Sequence, residues 1–554
     1  MPSTSFHYPT PFAPGAHDIH SEPRTLVEQR IAQASYSLRS RSGWEHRLDS
    51  DVPPTDRATW ELEAELCRRT DLTSAERLYV LDELKVYAAL LVPGKEGCQR
   101  VEVSCADGTW ESFVSPISLL ELGPQLDRLA NDEDVNPSGR SEVGTGIRHI
   151  LDPSVWGLRY GQTLVKREGL DDEELIVAEP INSGLTDRTL AWIPTPFTIH
   201  HTQVHDPSQV TQVSLEGCIN GLRRPAYDDL YLSLTRLLST SIPLFVRVLR
   251  GLELSVYKHV RFPSTYIRVT DPRWRPYDKG VDEAGWDETL SDLKDCRSGM
   301  DVGDYGLKEL QEVWGLWDPD VPGQSRGEIV VRVSEVVCAP EMPRWPGSPW
   351  QVEGVANDHI VAVGIYVVDS HNLSSCTLHL RAAVNEPENF LRMLDHAKSS
   401  VWGLDGSLNQ TVGEITLSPG LFLTFPNVLQ SCLSPINLID PSRPGRIRLI
   451  HFLLVSPCPP VGDRGKLTPD TLLVPPQQLA WYIDEIRNPR SNTSRLLNLP
   501  IELREMVIDE LRCSKMSGQE AWDSQRRSEI DRKELQRWTD NMIWQVPVFR
   551  THGS

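Results

Sequence analysis

Ile360-Val361-Ala362-Val363-Gly364-Ile365-Tyr366-Val367-Val368 carries no charge, and six of its nine side chains branch at Cβ. Branching there stiffens χ1 and suits a pleated, packed surface. The run reads as a strand. Comparable β-rich runs follow on either side, at 328–333 (Glu-Ile-Val-Val-Arg-Val), 376–380, 413–417, 420–425 and 447–455. Five or more such strands, separated by Gly and Pro turns, predict a jelly-roll or barrel in the C-terminal half.

Upstream the period changes. Leu230, Tyr231, Leu234, Leu237, Leu238 and Ile242 follow the i, i+3, i+4, i+7 rule, which predicts a helix over 227–249. Pro225 precedes it, and Asp228 and Asp229 sit where carboxylates favour the positive end of the helix dipole. Pro243 should kink it or end its first part. A second helical period marks 75–88, with apolar residues at 78, 81, 84 and 88 and Ser74 as the N-cap. The expected organisation is an extended tail (1–24), a mostly helical N-terminal region (25–150), a β core (151–495) holding helix 227–249 and an acidic, Trp- and Gly-rich insertion (271–326), and a helical tail (496–554). A short helix is expected at 307–314, and 131–140 reads as a linker. The fold class is therefore α+β, with peripheral helices around the β core.

The 554 residues include 56 Lys and Arg against 77 Asp and Glu, a net charge of −21. That balance argues against a nucleic-acid partner, which needs a basic face. No apolar run approaches the ~20 residues that span a bilayer, so no membrane partner is expected. The first 20 residues lack a basic stretch and apolar core of a secretory signal. Ten Cys are scattered without a Cys-x-x-Cys pair, which points to reduced, buried side chains and a cytoplasmic or nuclear protein. Phosphate-cradling Gly loops and a Gly-x-Ser-x-Gly elbow are absent.

Several segments, in order along the chain, resemble the large fungal domain-of-unknown-function family 4246. They include 346–360 (Pro-Gly-Ser-Pro-Trp-Gln-Val-Glu-Gly-Val-Ala-Asn-Asp-His-Ile), 364–370, 424–430 (Thr-Phe-Pro-Asn-Val-Leu-Gln) and 474–478. Weaker matches fall at 149–154, at 160–163 and over 227–249. The resemblance covers roughly residues 20–515. It implies that the C-terminal half is a double-stranded β-helix of the Fe(II) and 2-oxoglutarate-dependent oxygenase type. The family segment carries His-x-Glu, with a second His after Phe-Pro-Asn-Val-Leu-Gln. Two His and one carboxylate make a facial triad that leaves positions on Fe(II) open.

This sequence departs from that triad at two places. Gln351 and Ser431 stand at the imidazole positions, and only Glu353 is kept. An amide and a hydroxyl are poor ligands for such a metal. Gln351 and Glu353 then have three readings: metal ligands, polar residues of a former site that bond a small molecule, or ordinary strand residues. The family's cosubstrate Arg falls on Ile447. Arg446 and Arg448 flank it and are the candidates for a 2-oxoglutarate carboxylate, which favours a bidentate guanidinium. In a strand both point away from the Ile447 face, and a one-residue slip would flip every side chain. His451 lies four residues beyond Ile447 on its face, as a replacement imidazole or a structural His. Trp350, Tyr366, Arg381 and Asn427 complete the expected pocket with Gln351, Ser431 and His451.

Two other patterns have plainer readings. His200-His201-x3-His205 follows an expected strand (190–199) and reads as a surface loop sooner than a metal cluster. Residues 499–504 (Leu-Pro-Ile-Glu-Leu-Arg) resemble the opening of an F-box, over too few residues to imply ubiquitin-ligase function. Two function classes remain. One is an oxygenase-like protein without iron catalysis, holding a small molecule or a partner. The other is a tailoring enzyme of fungal small-molecule metabolism, with Fe(II) held by Glu353 and unorthodox ligands such as His451, or metal-free with Glu353 as general base near Trp350.

Overall fold

The computed structural model describes residues 7–12, 19–41, 44, 101–114, 120–132, 146–166, 175–180, 185–200, 212–224, 226–253, 255, 324–386, 402–404, 406–457, 499–512 and 516–547, with scattered positions between 72 and 88. Twelve of its strands build two sheets. In chain order they are β1 (Val101–Val103), β2 (Trp110–Phe113), β3 (Ile147–Leu151), β4 (Thr195–His200), β5 (Gln212–Leu215), β6 (Gln324–Cys338), β7 (Ile360–His371), β8 (Cys376–Ala383), β9 (Asn409–Leu417), β10 (Leu421–Pro426), β11 (Gln430–Leu433) and β12 (Gly445–Val455). The helices are α1 (Leu26–Arg39), α2 (Leu122–Ala130), α3 (Asp228–Glu253), α4 (Ile501–Arg512) and α5 (Gly518–Thr539), the last running into a π turn at Asp540–Trp544.

The apolar run at 360–368 does form a strand, β7, near the middle of a nine-stranded sheet ordered β1-β2-β10-β7-β12-β6-β4-β5, with β3 also on β6. Every pairing within it is antiparallel. A smaller sheet, β9-β8-β11, is antiparallel too. The fold is thus mixed α and β with antiparallel sheets.

The long sheet is covered on both faces, which is why β7 and β12 read as near-continuous apolar runs. On one face lies α3. Gly364 gives it room: a Cβ there would sit 2.7 Å from Phe245 Cζ of α3 and 3.0 Å from Phe422. Tyr366, Phe422 and Phe452 stack beside it, with ring centroids about 6 Å apart. α3 begins with Asp228 and Asp229, as expected, but it runs through Pro243 without ending. An internal Pro costs about 3 kcal/mol. Leu237, Leu238, Ile242, Leu244, Phe245, Val248 and Leu249 are all buried around it, and each contributes about 1.5–3 kcal/mol, so packing outweighs the lost hydrogen bond. α3 is the one described helix long and apolar enough to cross a membrane. Here its apolar side faces the sheet.

On the opposite face lies α1, started by a Thr25–Glu28 capping box. The Tyr36 hydroxyl of α1 donates to Glu111 of β2 at 3.2 Å. Leu378, Leu380 and Ile415 of the small sheet belong to the same core.

The mostly helical region expected over 25–150 is not evident. β1, β2 and β3 from that span join the long sheet, where Val103, Trp110 and Ile147 add apolar side chains to the core. The helix expected at 75–88 is helical at each position described there. Ser74, the linker at 133–140, the short helix at 307–314, His201 and His205 lie outside the described residues, as does the insertion apart from 324–326.

Candidate functional site

Strand alternation sorts the candidate residues onto two faces. On β12, Ile447, Leu449 and His451 point one way, and Arg446, Arg448, Ile450 and Phe452 point to the helix side. The register pairs His451 with Arg332 of β6 and with Ile365 of β7. It pairs Ser334, two residues on from Arg332, with His149 of β3. Directly paired side chains share a face. Arg332, Ser334, His149 and His451 therefore look toward the same space, away from α3.

Glu353 enters that space from the segment between β6 and β7. The two positions at which the family resemblance places imidazoles meet across a β-bridge. Gln351 N–H donates to Ser431 O at 3.0 Å, and Ser431 N–H to Gln351 O at 2.9 Å. Asn427 then fixes the backbone of Glu353. Its Oδ1 accepts from Glu353 N–H at 2.9 Å, and its Nδ2 donates to Glu353 O at 2.9 Å and Ile360 O at 3.0 Å. Asn427 is 2% exposed, so these bonds are sheltered from water and costly to lose.

The carboxylate of Glu353 is not open. Arg332 donates Nη2 to Oε1 at 2.6 Å and Nη1 to Oε2 at 2.8 Å, a bidentate fork. Its Nε donates to His451 Nδ1 at 3.1 Å. An accepting Nδ1 leaves the ring proton on Nε2. Burial first, then the positive charge of Arg332 and the neighbouring His149, hold the His451 pKa well below its ordinary 6.5. His451 is therefore neutral at physiological pH, and the cluster Glu353–Arg332–His451 carries no net charge.

Arg381 and Trp350 form a second group beside the first. Arg381 lies over the Trp350 ring at 4.6 Å, donates Nε to Gln430 at 2.6 Å and Nη2 to Asp540 at 2.7 Å. Gln536 of α5 donates to Val352 O at 3.3 Å. The C-terminal helix thus bonds to both segments that carry Gln351 and Ser431. It is anchored by Arg532, which forks onto Asp358 and reaches Asp187.

Three expected residues are not brought here. Arg446 and Arg448 lie on the helix face, as alternation requires. Arg448 bonds Asp369 and, at 2.8 Å, Asp127 of α2; Arg446 bonds Asp127 at 2.9 Å. Their guanidinium groups are taken by protein carboxylates, 79 and about 320 residues away in sequence, so neither stands where a cosubstrate would meet Glu353. Tyr366 is on that same face, packed on Phe422. His200 bonds Ser214 across β4–β5 at 2.8 Å.

A helical tail was expected over 496–554, but Arg332 and the contact of α5 with the site escaped the sequence reading. The signal for Arg332 was present: a lone cation inside Ile329-Val330-Val331-Arg332-Val333. A charge there must find a buried counter-charge.

The residues present do not fit the Fe(II) that the family resemblance implies. Two donors are an amide and a hydroxyl, and the third is engaged on both oxygens. Among the described residues no three His, Cys, Asp or Glu side chains converge to hold a metal ion.

Among solved structures, the chain is similar to a bsmA homolog from Methylobium petroleophilum PM1 (12% identity over 24% of this chain, TM-score 0.15). It is also similar to IDO from Bacillus thuringiensis (9% over 32%, TM-score 0.17). A third is the Fe(II)/(alpha)ketoglutarate-dependent dioxygenase TqaL, at 11% identity over 65% of this chain and 86% of that one, with a TM-score of 0.25. The chain spans 42% and 59% of the length of the first two. No curated protein matches the sequence. A family model described as "Protein of unknown function (DUF4246)" matches residues 78–485, and the chain belongs to that family.

Proposed function

We propose that this DUF4246 protein is an oxygenase-like protein, with a double-stranded β-helix (jelly-roll) core, that no longer runs iron-dependent catalysis and keeps a pocket for a small molecule. The observation that carries the reading is the bidentate hold of Arg332 on Glu353, at 2.6 and 2.8 Å. A facial triad needs a free carboxylate and two imidazoles. Here the carboxylate faces a cation of the chain itself, and positions 351 and 431 offer weak donors.

The same fork argues against Glu353 as a metal-free general base. Each oxygen already accepts a guanidinium N–H that competes with a substrate proton, and geometry comes before basicity in that role. The pocket is assigned to the space faced by Gln351, Ser431 and His451, with Trp350 and Arg381 on the opposite face of their strands, toward Asp540. Its lining is polar but neutral in sum around Glu353, which suits an uncharged small molecule. Nucleic acid and membrane partners are not proposed, given the net charge of −21.

The test is an anaerobic Fe(II) titration of the purified chain, with metal content read after desalting, beside Glu353→Ala. The reading predicts no stoichiometric iron in either protein. One equivalent retained by the wild type and lost in Glu353→Ala would overturn it.

A further inference from the structure

Beside the Arg332 fork, three polar groups on the same face of the long sheet stand without partners. His451 is 7% exposed, and with Nδ1 accepting from Arg332 its proton sits on Nε2. The Ser334 hydroxyl belongs to a residue that is also 7% exposed. Neither His451 Nε2–H nor Ser334 Oγ meets a hydrogen-bond partner among the described residues. Opposite Ser334, on β3, His149 Nδ1 is buried and is likewise unpartnered among the described residues. Buried polar groups are almost always hydrogen-bonded, and each exception needs an explanation. The register sets the spacing. Ser334 and His149 are directly paired across strands about 4.8 Å apart, and His451 lies on the diagonal from Ser334, one strand to the other side. Further along that face Val336, Leu449 and Ile447 are all buried, an apolar floor beside the polar row. His149 is only partly buried, so the β3 end of the row reaches the surface.

We propose that His451, Ser334 and His149 form a hydrogen-bonding subsite for an uncharged ligand that carries two or more hydroxyl groups about one strand spacing apart. The inference rests on the reading of a small-molecule pocket without iron and names the chemistry of its ligand. His451 Nε2–H offers a donor, the Ser334 hydroxyl gives or accepts, and His149 Nδ1 does either according to its tautomer. A ligand hydroxyl is itself donor and acceptor, and so complements each of them. An ionised ligand group is a poor match. Glu353 already neutralises Arg332, so the row supplies no free fixed countercharge, and a charge taken out of water without one is costly. The apolar floor then takes the carbon frame of the ligand while the row takes its hydroxyls, the usual division of labour in a small-molecule site.

The experiment reads the two imidazoles directly. The histidine ring nitrogens of the isotope-labelled full chain are followed by NMR as resorcinol is added. Resorcinol is neutral at pH 7, and its two hydroxyls stand about one strand spacing, ~4.8 Å, apart. Phenol, toluene and benzoate are titrated beside it. The proposal expects saturable shifts of the His451 and His149 rings with resorcinol. Binding should be at least threefold weaker with phenol and at least tenfold weaker with toluene and benzoate. His451→Phe should weaken resorcinol at least tenfold and Ser334→Ala at least threefold. Ser334→Ala removes a single oxygen, so it carries the test if His451→Phe does not fold. Rings unmoved by resorcinol overturn the proposal, and so does an affinity unchanged in Ser334→Ala; water alone then satisfies the row. Toluene or benzoate bound as tightly as resorcinol also overturns it, and leaves a pocket of other chemistry. Iron retained by the wild type in the Fe(II) titration sinks the reading of a site without iron, and this inference with it. An iron-free chain whose rings ignore resorcinol sinks this inference alone.

Discussion

Replacing Arg532 by Met should release the C-terminal helix while the long sheet stays folded. Arg532 of α5 is buried, and its partners Asp187 and Asp358 have fully buried side chains. It donates to Asp358 at 2.6 and 3.1 Å and to Asp187 at 2.8 Å, and lies over the Trp192 ring at 4.5 Å. Met keeps much of the volume and removes the charge. Two carboxylates are then left in the interior without a cation. Breaking a buried pair this way costs about 3–5 kcal/mol. Backbone N–H donors still reach both: Thr189 and Leu190 at Asp187, Val355 and Trp192 at Asp358. The lower half of the range, about 3 kcal/mol, is therefore expected. The remaining polar ties of α5 to the site are Gln536 to Val352 and Asp540 to Arg381 and Gln430. Those part-exposed bonds contribute about 1 kcal/mol each. The helix should accordingly open locally. Hydrogen exchange on α5 and on the amides of 350–353 is the assay, with thermal unfolding beside it. Adding Asp358→Asn should restore part of the protection by removing one orphaned charge. Unchanged exchange on α5 in Arg532→Met would refute the claim that this triad anchors the helix.

Three further outcomes are expected. Burial, with Arg332 and His149 nearby, depresses the His451 pKa, so the unfolded chain takes up a proton there first as pH falls. Stability from this group is full above about pH 6.5 and is lost below it, at about 1.4 kcal/mol per pH unit for one proton; His451→Gln should flatten that slope in melts from pH 7 to 5. Glu111 has the opposite sign. Burial raises its pKa above 4.5, against the Ser104 and Tyr36 hydroxyls and Arg39, which lower it, so its stabilisation is present in acid and declines as pH rises. Glu111→Gln, which keeps an acceptor for both hydroxyls, should raise the melting temperature at pH 7.5 and lose that advantage near pH 4. Gly364→Ala places a methyl 2.7 Å from Phe245 and should destabilise by about 1–3 kcal/mol, read as earlier loss of near-ultraviolet signal in urea.

The strands were legible because their physics is local. The runs at 360–368 and 447–455 show their near-continuous apolar, β-prone character within a few residues, and α3 shows its period and its acidic first turn. The site was legible only in part. Gln351, Glu353, Asn427 and Ser431 came together through resemblance to the family. Arg332 is linked to Glu353 across 21 residues and to His451 across 119, and no local pattern encodes such a pairing. The opposite orientation of Arg446 and Arg448 followed from alternation alone, yet their partners on α2 did not. Tyr366 was grouped with the pocket, although alternation on β7 carries it to the helix face. The N-terminal strands were hidden for another reason. β1 and β2 are three and four residues long, too short for periodicity to separate them from loops; β2 becomes a strand by pairing with β10, and β1 by pairing with β2.

The central claim is that Glu353 is held by a cation of the chain itself, and a double-mutant cycle between Arg332 and Glu353 tests it most directly. Wild type, Arg332→Met, Glu353→Gln and the pair are unfolded in urea in chelated buffer. The structure predicts a coupling of about 3 kcal/mol, with each single change costly and the double change milder than either sum. A coupling below about 0.5 kcal/mol, the scale of independent sites, would contradict it.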